Sequence, residues 1–247
     1  MNKLFLLTSI YLGISQAVFA SNVRIDDPGT FGPSAQAVFP NATAKDLCLG
    51  MTHATYSQDN DPSLYCNDLT GQAKSICLGL TLSNGGVGVT YVGIDRMCDR
   101  LSGQEQTLCL SVRFGLRVTF NNSSYYDECP KLSGLAGVVC EANYQASFMS
   151  PGAYDCMEIS DPAARMLCLG LANSVYKIDY SVPTECDSLS GNAREVCNGV
   201  SQGYNNSCQS LSGSAQTLCL ALSGAYQTGG VFWGAAAVPV TGGCNGL

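Results

Sequence analysis

A twelve-residue phrase with a cysteine at each end recurs along the chain, and its spacing limits the fold more than any other feature. CDSLSGNAREVC runs from Cys186 to Cys197 and CQSLSGSAQTLC from Cys208 to Cys219; related phrases begin at Cys66, Cys98, Cys129 and Cys156. One unbroken helix through such a phrase would hold the two cysteine Cα atoms about 16 Å apart, whereas a disulfide takes roughly 4.4–6.8 Å. The backbone must therefore double back between them. In five phrases a Leu-Ser/Thr-Gly step supplies the turn, with Gly ending a short first helix and the hydroxyl capping the next. The Cys156 phrase uses Ser160, Asp161 and Pro162 instead.

Aligned on their second cysteines (Cys48, Cys77, Cys109, Cys140, Cys168, Cys197 and Cys219), the copies share four columns. The residue before the cysteine is aliphatic: Leu47, Ile76, Leu108, Val139, Leu167, Val196 and Leu218. Two positions after it stands a small residue: Gly50, Gly79, Ser111, Ala142, Gly170, Gly199 or Ala221. Four before it is Ala, except at Glu105. Seven before it is a helix-capping side chain: Asn41, Thr70, Ser102, Ser133, Asp161, Ser190 or Ser212. Such columns mark internal repeats, and each cap predicts a helix start. Ser102 with Glu105 reads as a capping box, and Pro162 suits the first helical position after Asp161. The Ala, aliphatic, Cys and small columns fall on neighbouring turns, so one helix face carries little bulk and admits a close neighbour. Tyr56, Tyr176, Tyr204 and Tyr226 fall on the same side and read as packing residues rather than a ligand-stacking stripe.

The fold class is therefore all-α: disulfide-stapled helical-hairpin repeats, about seven units, as an α-solenoid or a closed α-toroid. The spacing pairs Cys66 with Cys77, Cys98 with Cys109, Cys129 with Cys140, Cys156 with Cys168, Cys186 with Cys197, and Cys208 with Cys219. A competing register joins each second cysteine to the first of the next unit, as in Cys77 with Cys98. In the chain-entropy model each within-phrase clasp is worth about 3 kcal/mol, which matters where helices rich in Gly, Ser and Ala bury little apolar area. Two half-phrases remain. Cys48 closes a phrase with no opening cysteine, and Cys244 opens one, CNGL, that stops at Leu247. Pairing within a chain closes the array; pairing between chains builds a head-to-tail fibre; frayed ends are the plain alternative.

Residues 1–20, MNKLFLLTSIYLGISQAVFA, read as a secretory signal peptide cut after Ala20, so the chain is expected to be secreted or periplasmic. All fourteen cysteines follow that cut, consistent with an oxidising compartment. Residues 21–40 carry Pro and Gly without a period and read as an extended N-terminal arm. Residues 41–227 form the helical repeat domain. Residues 228–247 read as an apolar C-terminal cap containing the closing half-repeat and the single Trp, Trp233. An exposed partner-binding patch is the rival reading of that segment. No run approaches the ~20 apolar residues of a membrane span. The net charge of −7, more negative once Lys3 leaves with the signal, argues against nucleic acid as a partner.

Chemistry is sparse. His53 stands alone as the single histidine and reads as a packed or solvent-facing helix residue. Cysteines eleven apart lack the short spacing of a zinc clip, and no CxxC, GxSxG or phosphate loop occurs. No catalytic, cofactor-binding or metal residue is assigned, and no cofactor is expected. The carboxylates are the remaining acid–base candidates: Asp59 and Asp61 resemble the start of a calcium loop but lack its Gly and distal Glu, Asp61 before Pro62 reading more simply as a helix cap, while Asp127, Glu128, Asp155, Glu158 and Glu185 beside first cysteines have a simpler role as helix-start charges. Asn41, Asn121, Asn122 and Asn205 stand in glycosylation sequons. The leading function is a non-enzymatic interaction or structural scaffold with a protein or cell-surface partner; the alternative is a secreted hydrolase with a carboxylate pair in an inter-repeat groove. The departures Glu105, Glu141, Asn143 and Asn198 are scattered, which favours the scaffold.

Overall fold

The computed structural model describes residues 28–56, 66–84, 98–115, 129–147, 154–179, 185–227 and 242–247. Residues 1–27, which include the signal-peptide segment, and residues 228–241 of the 228–247 cap, with Trp233, lie outside these. Within the described residues the chain forms α-helices and no strands. They are α1 (Pro28–Val38), α2 (Ala44–Tyr56), α3 (Gly71–Asn84), α4 (Gly103–Gly115), α5 (Gly134–Ser147), α6 (Tyr154–Glu158), α7 (Pro162–Asp179), α8 (Gly191–Tyr204) and α9 (Gly213–Gln227).

All fourteen cysteines are paired. The six within-phrase bonds are Cys66–Cys77, Cys98–Cys109, Cys129–Cys140, Cys156–Cys168, Cys186–Cys197 and Cys208–Cys219, each with its Cα atoms 5.6 Å apart. The backbone doubles over at the same place each time. The amide of the residue three past the first cysteine donates to that cysteine's carbonyl, as Leu69 to Cys66 (3.2 Å) and Leu189 to Cys186 (3.1 Å). Gly71, Gly103, Gly134, Gly191 and Gly213 then take φ between +54° and +59°. That left-handed region costs any side-chain-bearing residue about 1–2 kcal/mol, which accounts for glycine there.

The glycine's place differs from the expected one. It opens the long helix rather than ending the short one, and this changes the cap. Ser190 is extended (φ −132°, ψ 163°) but its side chain makes no capping bond to α8. Regular capping takes a right-handed residue next in line, and here a left-handed glycine intervenes. Where no such glycine stands, side chains do cap. Asp161 Oδ1 accepts the amides of Ala163 and Ala164 at 2.8 and 3.0 Å. At α2 the cap is Thr43 rather than Asn41: Thr43 Oγ1 accepts the Asp46 amide at 3.1 Å and Asp46 Oδ2 accepts the Thr43 amide at 3.1 Å, a reciprocal box. Glu105 departs from the box expected with Ser102, accepting instead from Ser75 Oγ of α3 at 2.7 Å.

Each long helix packs on the next: α2 on α3, α3 on α4, α4 on α5, α5 on α7, α7 on α8 and α8 on α9. The aliphatic column of one helix fills the small column of the one before. A Cβ built on Gly50 would stand 2.6 Å from Ile76 Cγ2, and one on Gly170 would stand 2.7 Å from Val196 Cβ. Real Cβ atoms do not come so close, so these positions need to be bare. Neighbouring helices run parallel, since Gly199 meets Leu218 while Gly203, a turn further on, meets Leu222.

The series of neighbours returns to its start, because α9 packs on α2. There the two half-phrases meet. Cys48 bonds Cys244 within the chain, Cα atoms 5.7 Å apart across 196 residues. The pair reproduces its siblings closely. Leu247 donates to the Cys244 carbonyl at 3.3 Å, and Thr52 Oγ1 lies 3.6 Å from Cys244 Sγ as Thr81 Oγ1 lies 3.6 Å from Cys66 Sγ. Gly224 of α9 leaves room for Cys48 Sγ, which would stand 2.7 Å from an added Cβ.

Residues 28–38 of the expected extended arm are helix α1. It touches α2, α4, α5, α7, α8 and α9, so it stands among the repeat helices rather than alongside one of them. Phe31, Ala35, Val38 and Phe39 are buried. It runs antiparallel to the others: Gln36 Nε2 donates to the Ser214 carbonyl at the start of α9 (2.9 Å), while Gly32 lies against Leu218 and Leu222 further along. Its last carbonyl, on Val38, accepts from Gln104 Nε2 at 2.7 Å. Pro33 removes one helical bond, and enclosure on all sides outweighs that loss.

Candidate functional site

Two grooves are the concave features of interest. The first, about 340 Å³, lies where α5 meets the start of α7 and is lined by Pro130, Leu132, Val138, Glu141, Tyr144 and Asp161, among others. Cys129 of the Cys129–Cys140 clasp contributes to its lining, and Tyr144 packs in one buried cluster with that clasp. Glu141 comes to this groove because it directly follows the second cysteine, and Asp161 because it opens the next helix. The Asp161 carboxylate already accepts two amides of α7, so it serves the helix start.

The second groove, about 320 Å³, lies where the end of α1 meets the starts of α8 and α9. Gln36, Asn192, Ser214 and Thr217 provide its polar groups and Pro33, Pro40, Leu167 and Val196 its apolar ones; among the described residues no ionisable side chain lines it. These groups offer hydrogen bonds and shape.

Elsewhere the buried polar groups serve the fold. Ser83, Ser111 and Ser174 donate to the carbonyls of Leu80, Leu108 and Leu171 one turn back, at 2.6, 3.1 and 2.8 Å. Ser34 of α1 donates to Asn143 Oδ1 of α5 at 2.9 Å, a buried bond between the central helix and the array. His53 is buried on α2, a packed residue. No group of three or more His, Cys, Asp or Glu residues that could hold a metal occurs among the described residues.

Of the carboxylate candidates, only Glu158 has a side chain among the described residues. Asp59, Asp61, Asp127 and Glu128 lie outside the described residues, as do the side chains of Asp155 and Glu185, while Glu158 is exposed at the end of α6. The four departures separate. Glu105 bonds α3, Asn143 faces α1, Asn198 is half-buried on α8, and Glu141 alone lines a groove. Tyr204, the last residue of α8, is 48% exposed, which departs from its reading as a packing residue. The side chains of Tyr56, Tyr176 and Tyr226 lie outside the described residues. Sequence reading missed Arg113, which is buried on α4 with its guanidinium 6.0 Å from the Phe114 ring. Its signal was positional: four past the second cysteine the other copies carry Thr, Tyr, Ala or Ser.

No protein-family model matches the chain, and no significant match was found among curated proteins or solved structures. The functional reading therefore rests on the geometry alone. Fourteen paired cysteines fit an oxidising environment, and among the described residues no helix is long and apolar enough to cross a membrane.

Proposed function

We propose that this is an exported, non-enzymatic scaffold: a closed ring of clasped helical units around α1, released after cleavage at Ala20, that presents its outer helix faces to a protein or cell-surface partner. The observation that supports this best is how the polar and reactive groups are used. Every cysteine is in a clasp, the buried serines bond backbone, and Asn143 bonds the central helix. Such a body is a rigid display surface rather than a reaction vessel. Cross-linking the purified protein in the extracellular fraction of its own source, followed by peptide mapping, tests it. Cross-links from exposed positions such as Lys45, Arg194 or Glu195 to one recurring partner are expected; a binding surface inside a groove, or none, overturns the reading.

The hydrolase reading keeps one supporting observation, the presence of Glu141 and Asp161 on one groove. It requires that Glu141→Gln abolish a hydrolytic activity of the purified protein while leaving its melting temperature unchanged. Without such a loss on glycan or peptide substrates, that reading falls.

A further inference from the structure

The clasps carry a framing problem that an oxidant alone does not solve. Six of the seven bonds join consecutive cysteines, starting from Cys66. The seventh joins the first cysteine of the chain to the last, Cys48 to Cys244. A chain whose cysteines pair consecutively from the beginning would therefore form Cys48–Cys66, Cys77–Cys98, Cys109–Cys129, Cys140–Cys156, Cys168–Cys186, Cys197–Cys208 and Cys219–Cys244. Every bond would be wrong and no thiol would be left. Loop-closure entropy barely opposes this. The wrong partners Cys197 and Cys208 are 11 residues apart, the same separation as a native clasp, and Cys48 and Cys66 are 18 apart. Even at 25 residues, between Cys219 and Cys244, the native 11-residue loop is favoured only about threefold. During export the bias is the other way, since Cys48 emerges before Cys66 and Cys66 before Cys77, while Cys244 comes last.

We propose that maturation of this protein requires a thiol–disulfide exchange catalyst, a disulfide isomerase acting as a dithiol, in addition to an oxidant. The exchange is a closed cycle. The catalyst's thiolate attacks Cys48 Sγ in the Cys48–Cys66 bond, forming a mixed disulfide and releasing the Cys66 thiolate. Cys66 attacks Cys77 Sγ and releases Cys98, which attacks Cys109, and the displacement passes from unit to unit until Cys219 leaves Cys244 free. The Cys244 thiolate attacks Cys48 Sγ and returns the catalyst's thiolate. Seven bonds break and seven form, with no net oxidation or reduction. The initiating thiol must come from outside, because the fully paired chain holds none. Each step is favoured once the aliphatic knob of one helix can seat in the small column of its neighbour, which the shifted bonds prevent.

The test exports the full chain to a bacterial periplasm that contains a disulfide oxidase, with and without isomerase activity, and maps unreduced peptides by mass spectrometry. Without isomerase, shifted peptides such as Cys48–Cys66 and Cys77–Cys98 are expected, with severalfold less native protein. The double variant Cys48→Ala/Cys244→Ala is expected to form its six clasps equally in both hosts, because consecutive pairing of the remaining twelve cysteines is the native set. Equal native yields of the unaltered protein in the two hosts would overturn the proposal. Should the double variant fail to accumulate, the unaltered chain decides alone. Reduced, unfolded protein is oxidised with a thiol-free oxidant and then given reduced glutathione. Recovery of the Cys48–Cys244 peptide only after the thiol is added supports the cycle, and its full formation beforehand rejects it.

Discussion

At Gly213 and Gly170 the same substitution meets two different obstacles. Gly213 has φ +59° and open space where a Cβ would go, so Gly213→Ala carries a purely conformational cost of about 1–2 kcal/mol. Gly213→Asn should recover part of it, since Asn tolerates the left-handed region. Gly170 has ordinary helical backbone, but its Cβ would stand 2.9 Å from the Ala193 carbonyl oxygen as well as against Val196. Gly170→Ala should therefore cost about 1–3 kcal/mol through overpacking, and Asn would do worse there rather than better. Denaturant midpoints of the four variants distinguish the two mechanisms by the sign of the Ala-to-Asn change. Both glycines were legible as columns in the sequence, and so was the preference for a small residue two past the cysteine. What each met was not, because backbone conformation and the distance to a neighbouring helix are not properties of the residue itself.

Caps divide the helices into two kinds. Asp161→Ala removes the acceptor of two α7 amides and should lower stability by about 1 kcal/mol, with fraying confined to the start of α7. Ser190→Ala, at the equivalent position of α8, removes no capping bond and should be close to neutral. Hydrogen exchange at the first turns of α7 and α8 checks both. Sequence pattern alone put the two residues in one column and assigned them one role; the left-handed glycine after Ser190, and its absence after Asp161, separates them. Helix α1 is the larger surprise. Its Pro, Gly and Ser content gives it little intrinsic tendency to fold, and it is helical because six other helices enclose it. Ser34→Ala should thus cost about 1–3 kcal/mol by leaving the buried Asn143 Oδ1 without this donor, far more than a serine in an isolated terminal arm would matter.

For the molecule as a whole, the Cys48–Cys244 bond differs from its siblings in reach. In the chain-entropy model, closing a loop across 196 residues restricts the unfolded chain by about 5 kcal/mol, against about 3 kcal/mol for an 11-residue clasp. Cys48→Ala/Cys244→Ala should consequently lower the unfolding free energy more than Cys208→Ala/Cys219→Ala, even though both remove one buried disulfide. Equilibrium unfolding of the two double variants without reductant measures the difference, and equal losses would mean that residual structure in the unfolded chain already holds the ends together. The loss should also be regional, since the joint of α9 with α2 has Gly224 and Thr52 fitted to that bond.

The repeat, its clasps and its small-residue face could be read in the sequence because each depends on residues within a dozen positions of one another, where chain geometry permits few solutions. Whether Cys48 meets Cys244 within one chain or between two, the conformation of residues 28–38 and the helix cap at Thr43 could not. Whether the last unit reaches the first depends on small rotations accumulated over the whole array, and whether a proline-bearing segment becomes helical depends on what surrounds it. Those outcomes belong to the assembled helices, and only their packing decided them.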